Sequence, residues 1–578
     1  MPASQDLPWG VVHEWPAASY ALLIISVAGI CFLQLYRLAL PKPIPGIPYN
    51  KASARRILGD VPLLRQHVSE AQGRSFATWL LASVKDLDAP LIQLFLKPFK
   101  KPLLILCDVR ETRNIMLHRK DFDRSSNTAD KVKGIAPDHH LRLRTNDVWR
   151  SHRRLVQDLV TPSFLHNVAG PQLKAKVAEG KPFEAGTDMS HAALDAVMSF
   201  AFGERFTETA TRPSLELMEG LGEESLRRIK ETGSLTTPIQ FSTAPVPDIL
   251  QAITDLSETI GQVRGAMPPS LAWALIMRKP YVKRATRIKE EYFTRELKHA
   301  VSLLDDSDAG KEWSAVHHMI LRERSFAQKE GRQPEYFSRV MFDEIFGSCI
   351  LPGHDTTSTT MKWTLKILAD NPQSQHRLRD TLQASFAAAK QEARNPTIQE
   401  ITITNIPFLD AVLEELQRCC PTTLVLDRQA VVDTELLGHH IPKDTVVICL
   451  TNGPSMVEPG FAVDEASRRR ADQPVKKLGP EDGWDMSDVA AFRPERWLVQ
   501  KEKGDAFNAT AGPVLAFGLG LRGCFGKRLA YLEMRILLTL IIWNFELLQC
   551  PPALSGYDSV LVSANRPKDC YVRLKSLW

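Results

Sequence analysis

The sequence predicts a mainly helical protein with few, short strands, carried behind a single N-terminal membrane-spanning helix. Three observations lead there. From Ala17 to Tyr36 the chain reads AASYALLIISVAGICFLQLY, an uncharged run long enough to cross a bilayer as a helix. Beyond residue 50 helical patterns dominate: one long helix over 336–369 around an awkward centre, another over 406–420, and a third that begins near Phe525 and runs into LAYLEMRILLTLIIW. Strand-like pieces are brief: LLILCDV at 103–109, TVVICL at 445–450 and CYVRLKSL near the end.

The apolar run reads as an anchor rather than a cleaved signal peptide. No basic segment precedes it, and it is longer than a signal peptide's apolar stretch. Arg37, Lys42, Lys51, Arg55 and Arg56 follow it, whereas only Asp6, His13 and Glu14 precede it. The positive-inside rule then places residues 1–16 in the lumen, 17–36 in the membrane and everything after residue 37 in the cytoplasm. Next comes PKPIPGIPYN at 41–50. Its four prolines fix φ and remove amide donors, so the 37–50 linker is expected to be an extended strut. The segment 51–578 makes up the rest of the chain.

At 578 residues and 44% hydrophobic, the chain can bury a large core. Its 72 basic and 67 acidic residues leave a net charge of only +5, which gives no reason to expect a nucleic-acid partner. Nine cysteines occur without a Cys-x-x-Cys pair, and Cys31 lies in the apolar run. That pattern fits neither a disulfide framework nor a zinc site, and it suits a reducing compartment. The basic stretch 465–477 reads as a solvated loop. Asn508-Ala-Thr510 is a glycosylation sequon that should stay unmodified on a cytoplasmic face.

Chemistry concentrates in FGLGLRGCFG, residues 517–526. Its glycines permit positive-φ turns and close backbone approach. Cys524 then precedes a helix start, where unpaired amides favour a thiolate. Such a cysteine could serve as nucleophile, metal ligand or inert core residue; no motif supplies a His-Asp or His-Asn partner for the first role.

The segment resembles, residue for residue, the heme-binding loop of cytochromes P450, Phe-x-x-Gly-x-Arg-x-Cys-x-Gly, through Phe517, Gly520, Arg522, Cys524 and Gly526. The resemblance implies a helical body with a small β-rich lobe enclosing one buried heme b. Cys524 would be the axial ligand of its iron, Phe517 would pack on the cysteine side, and Arg522 would pair with a propionate. Other segments resemble the family in the expected order. Glu415 and Arg418 of EELQR, with Arg496 of FRPERW, match a structural triad; at i and i+3 the first two share a helix face. Trp149 and Arg153 of WRSHR match the helix beside one propionate, and Arg428, seven residues after Pro421, resembles the arginine that reaches the other.

PGHDTT at 352–357 matches the family's oxygen-side pattern through Gly353, Asp355 and Thr356. Activating O₂ calls for an acid and a hydroxyl close by, so Asp355 and Thr356 are the expected catalytic pair. Two departures stand out. Pro352 replaces a small residue and should delete one helix hydrogen bond, at the carbonyl of Ser348. Gly170, Pro171, Gly180, Pro182 and Gly186 break up the interval 164–188, where the family carries another helix; that helix is expected to be very short or missing.

The implied function is a membrane-anchored monooxygenase resembling microsomal enzymes of filamentous fungi. It would face the cytoplasm from the endoplasmic reticulum and insert one oxygen atom of O₂ into a lipophilic small molecule, with terpenoid or polyketide secondary metabolism as the expected setting. Electrons would come from NADPH through NADPH-cytochrome P450 reductase. The alternatives are an NADPH-independent heme-thiolate isomerase or dehydratase, which needs no Asp355–Thr356 relay, and a non-catalytic membrane heme protein, which needs neither that relay nor a large apolar pocket.

Overall fold

The computed structural model describes residues 17–70, 75–156, 173, 175–177, 180–263, 268–305, 314–468, 484, 486–502 and 504–577. The apolar run forms a helix over Ala17–Ala39, three residues past Tyr36. The span Ser19–Ala39 buries none of its most apolar window against the body. The proline-rich segment that follows lies against the protein. Ile44 and Ile47 are buried, and the Gln93 side chain serves their backbone. It accepts from the Ile44 N–H at 2.8 Å and donates to the Ile44 and Ile47 carbonyls at 2.9 and 2.7 Å. A segment poor in regular backbone pairing thus finds its partners in a side chain.

Gln93 belongs to the main sheet. In spatial order its strands are Leu91–Leu94, Leu103–Leu106, Val446–Leu450, Val425–Ala430 and Phe122–Asp123. Leu103–Leu106 runs parallel to Val446–Leu450, and the other pairings are antiparallel. Two of the three strands expected from the sequence meet here. The third, Tyr571–Ser576, lies between Phe545–Leu548 and Pro182–Glu184 in a separate three-stranded sheet.

The helical body is organised around one continuous rod. It runs as an α-helix over Arg339–Glu344, a π-helix over Ile345–Ile350 and an α-helix over Leu351–Asp370. The awkward centre expected at Pro352 is therefore a π segment. Proline has no N–H to donate to the carbonyl of residue i−4, and the wider turn just before it absorbs that lost bond. The helix Gly186–Phe202 comes close at Gly353, where a Cβ would lie 2.5 Å from Val197 Cγ2. Buried side chains on either side of the rod form two large cores, one around Ile350 and Phe293, the other around Leu365 and Leu538.

Residues 164–172, 174, 178 and 179 of the interval 164–188, in which a helix was expected to shrink or vanish, lie outside the described residues, as do 469–477 of the basic stretch and the N-terminal 1–16. Arg468, at the edge of that stretch, is not solvated: it pairs with Asp108 at 2.8 Å.

Candidate active site

The Cys524 loop is shaped by its glycines. Gly518 and Gly520 have φ of +60° and +67°, and a Cβ on Gly520 would fall 2.3 Å from the Met116 carbonyl oxygen. The Cys524 N–H donates to the Phe517 carbonyl at 2.7 Å and closes the loop. The helix Lys527–Asn544 starts three residues on, with Gly526 at its N-cap. Phe517 lies 5.3 Å from the Tyr531 ring. Cys524 is exposed as a residue, although desolvation is the strongest influence on its thiol.

The sequence expectation of a thiolate is met only in part. Burial is the strongest influence on Cys524 and raises its pKa; the amides of Gly526 and Lys527 and the charges of Arg153 and Lys527 oppose it. Amides at a helix start are too weak to offset that desolvation, so in the polypeptide itself the thiol is favoured. A bound metal cation would reverse the balance.

Beside the cysteine lies a group of arginines. The Arg522 guanidinium stacks over Trp149 at 4.6 Å and donates to the Leu143 carbonyl at 2.5 Å. Arg153 lies over Phe525 at 4.9 Å, and Arg428 is buried, with Nη1 donating to the Asp427 carbonyl at 2.9 Å. The fourth, Arg124, was not anticipated, because an arginine in a short loop carries no motif. Burial and mutual repulsion press Arg522 down to about 9 and Arg124 down to about 10. Arg124 Nε and Arg522 Nε and Nη1 are buried without a hydrogen-bond partner. Asp123 and Asp427 offset only part of this charge.

On the long helix, Thr356 donates its hydroxyl to the Pro352 carbonyl at 2.7 Å, and Pro352 is exposed although its helix is central. Asp355 points another way. Its carboxylate accepts from the Ser563 hydroxyl at the edge of a cavity of about 140 Å³ that His191, His354 and Arg566 also line. One residue beyond Thr356, the Thr357 hydroxyl donates to Glu533 Oε2 at 3.0 Å and ties the long helix to the Cys524 helix.

Behind the site, Glu415 and Arg418 form a fully buried two-point pair at 2.7 and 2.8 Å. Arg496 approaches Glu415 only to 3.8 Å and pairs more closely with Asp488, at 2.5 Å. Two donors absent from the sequence expectation complete Glu415: the Arg493 N–H and the Trp497 indole, both at 2.9 Å.

A family model for cytochrome P450 matches residues 90–455 and 487–560. The chain belongs to the cytochrome P450 family. It is 42% identical to cytochrome P450 monooxygenase TRI13 of Fusarium sporotrichioides, over 96% of this chain and 98% of that one. It is 36% identical to cytochrome P450 monooxygenase xilC of Penicillium rubens, over 96% of each. The fold is shared with the solved structure of retinoic acid bound cyanobacterial CYP120A1, with a TM-score of 0.59 at 16% identity, over 93% of this chain and 100% of that one. This P450 is an oxidoreductase of the monooxygenase type, and heme and reductase-derived electrons come with the family.

The residues present fit such a group. An iron porphyrin with two carboxylates needs one soft axial donor and cationic donors at its edge. The P450 offers Cys524, the one cysteine of its loop, together with buried Arg124 and Arg522 guanidinium atoms whose donors are unused. Sequence reasoning also missed a buried cluster of His139, His140, His152, Ser348 and Glu344. Only His152, inside WRSHR, lay in a motif.

Proposed function

We propose that this P450 hydroxylates, or similarly oxidises, a lipophilic small molecule of fungal secondary metabolism, with a terpenoid or polyketide as the substrate class. Electrons come from NADPH through NADPH-cytochrome P450 reductase at the endoplasmic reticulum membrane. The observation that carries the reading is the tie between Thr357 and Glu533. It fastens the helix bearing Asp355 and Thr356 to the helix that follows Cys524, so an acid–alcohol pair and a soft metal donor belong to one rigid unit.

In this reading Cys524 ligates the iron of heme b, Phe517 packs on the cysteine side, and Trp149, Arg153, Arg428 and Arg522 hold the propionates. Arg124 joins them. Heme supplies the redox-active iron at which O₂ is activated. The protein's own part is proton handling: Thr356 presents a hydroxyl in the open stretch of helix beside Pro352, and Asp355 takes protons from the cavity it shares with Ser563. An isomerase would need neither residue. Glu415, Arg418 and Arg496 do no chemistry and lock the wall behind the heme. The domain layout follows: an anchor over 17–36, a linker to residue 50 and the catalytic domain from 51 onward.

The test is the reduced, CO-bound absorbance spectrum of the expressed protein, followed by turnover with reductase and NADPH. A thiolate-type band with NADPH-dependent oxygenation supports the reading. Product formation without NADPH moves it to the isomerase class.

A further inference from the structure

Away from the Cys524 loop, Glu344 sits at the start of the π segment with no side-chain exposure. Its carboxylate gathers donors from three elements. The His140 N–H and Nδ1 reach it from the 137–143 loop at 2.7 and 2.8 Å. His152 Nδ1 reaches it from the Trp149 helix at 3.1 Å, and the Ser348 hydroxyl, one turn along its own helix, at 2.8 Å. His139 Nε2 stands 2.8 Å from that hydroxyl and 3.4 Å from the carboxylate. These contacts hold the carboxylate ionised, well below the usual glutamate range.

The imidazoles do not form a metal site in this arrangement. His139 Nδ1 accepts the Leu141 N–H at 3.3 Å, so the ring proton belongs on Nε2, where it donates. Burial holds His139 down to about 3, hence neutral. Among the described residues no lysine or arginine lies within ion-pair distance of Glu344, in contrast to its neighbour Asp343, which pairs with Arg339 at 2.6 Å. In a buried setting the field of such a carboxylate is weakly screened. Its partner His152 is followed in the Trp149 helix by Arg153. Arg153 feels the charges of both Glu344 and Cys524.

We propose that Glu344, a buried carboxylate with no lysine or arginine partner among the described residues, lowers the reduction potential of the bound heme, with His140, His152 and Ser348 as the residues that fix it in place. This rests on the heme reading above. The one-electron reduction of ferric heme by the reductase adds negative charge, which a fixed anion nearby opposes. Glu344 therefore restrains electron entry until another change at the site favours it.

The experiment is spectroelectrochemical titration of the full-length, heme-loaded protein, with the CO-bound spectrum confirming thiolate ligation in each variant. Glu344→Gln should shift the midpoint to more positive potential. Glu344→Asp, which keeps the charge, should stay near the parent value. So should Ser348→Ala, which loosens the cluster without changing charge. An unshifted Glu344→Gln overturns the proposal, as does an equal shift in Glu344→Asp or Ser348→Ala, since either would make geometry the cause. If Glu344→Gln takes up no heme, His152→Lys decides: it sets a cation beside the carboxylate at a partly exposed position, and a positive shift is expected, its absence refuting the idea. A parent protein that never forms thiolate heme overturns the heme reading and this inference together, whereas an unshifted variant in a heme-loaded protein overturns the inference alone.

Discussion

The Thr356 hydroxyl is 2.7 Å from the carbonyl oxygen of Pro352, one turn earlier on the same helix, and donates to it. The bond occupies the proton of that hydroxyl and leaves its oxygen free to accept. Thr356→Ala should therefore leave heme and substrate binding nearly intact while product per NADPH falls and hydrogen peroxide rises. Thr356→Ser should recover coupling. Peroxide, NADPH and product measured side by side give the answer, and unchanged coupling in Thr356→Ala would remove Thr356 from the relay.

Asp355 should behave differently. It is held by Ser563 at a cavity edge, so Asp355→Asn is expected to slow NADPH consumption and product formation together. General acid help of this kind is worth about 10²–10⁴ in rate. A solvent deuterium isotope effect that grows in the variant would agree; a parent-like rate would exclude a proton-feeding role.

Cys524→Ala should lose the thiolate-type CO band and all monooxygenase activity. No other cysteine lies in the 517–526 loop. Turnover surviving in that variant would end the ligand assignment.

Glu415→Ala leaves the Arg418 guanidinium buried without its carboxylate. Breaking a buried pair from one side costs about 3–5 kcal/mol, so the variant should melt far earlier and retain little heme. Arg496→Ala should cost less, because Arg496 pairs chiefly with Asp488. Equal melting temperatures for the two would contradict the observed geometry.

Glu533 is pushed up to about 8 by burial, against an ordinary value of 4.5. The folded protein keeps a proton that the unfolded chain releases over that window, so stability should fall as pH rises from 4.5 to about 8. Glu533→Gln should flatten this part of the profile and raise the melting temperature near pH 8 relative to the parent. A parallel slope in both proteins would rule out Glu533 as its source.

Much of this architecture was legible in the sequence because certain residues admit few alternatives. Pro352 forces an interruption in a long apolar-patterned helix, and Gly520 permits a turn no side chain would tolerate against Met116. Glu415 and Arg418 share a face by spacing alone. Other features depend on partners distant in sequence. Arg124 matters because Arg428 and Arg522 converge on it, 304 residues away in the first case, and nothing local announces that. Glu344 is one acid in a helical pattern until the His139–His140 loop, 204 residues from it, folds over it. The proline-rich strut was read for its stiffness, but its docking depends on Gln93, a single amide in a strand.

Glu415 also imposes an order on how the chain is made. Its indole partner, Trp497, lies 82 residues downstream, and Arg418 donates to carbonyls of Met456, Val489 and Ala491. On a ribosome adding about 5–20 residues per second, the nascent helix Pro407–Cys419 waits roughly 4–16 seconds for that indole to be synthesised. Until then an acid and a base destined for the interior face water or a chaperone, and Cys524 emerges later still. A message truncated anywhere before residue 497 yields a nascent chain with this knot untied, a natural mark for proteolysis.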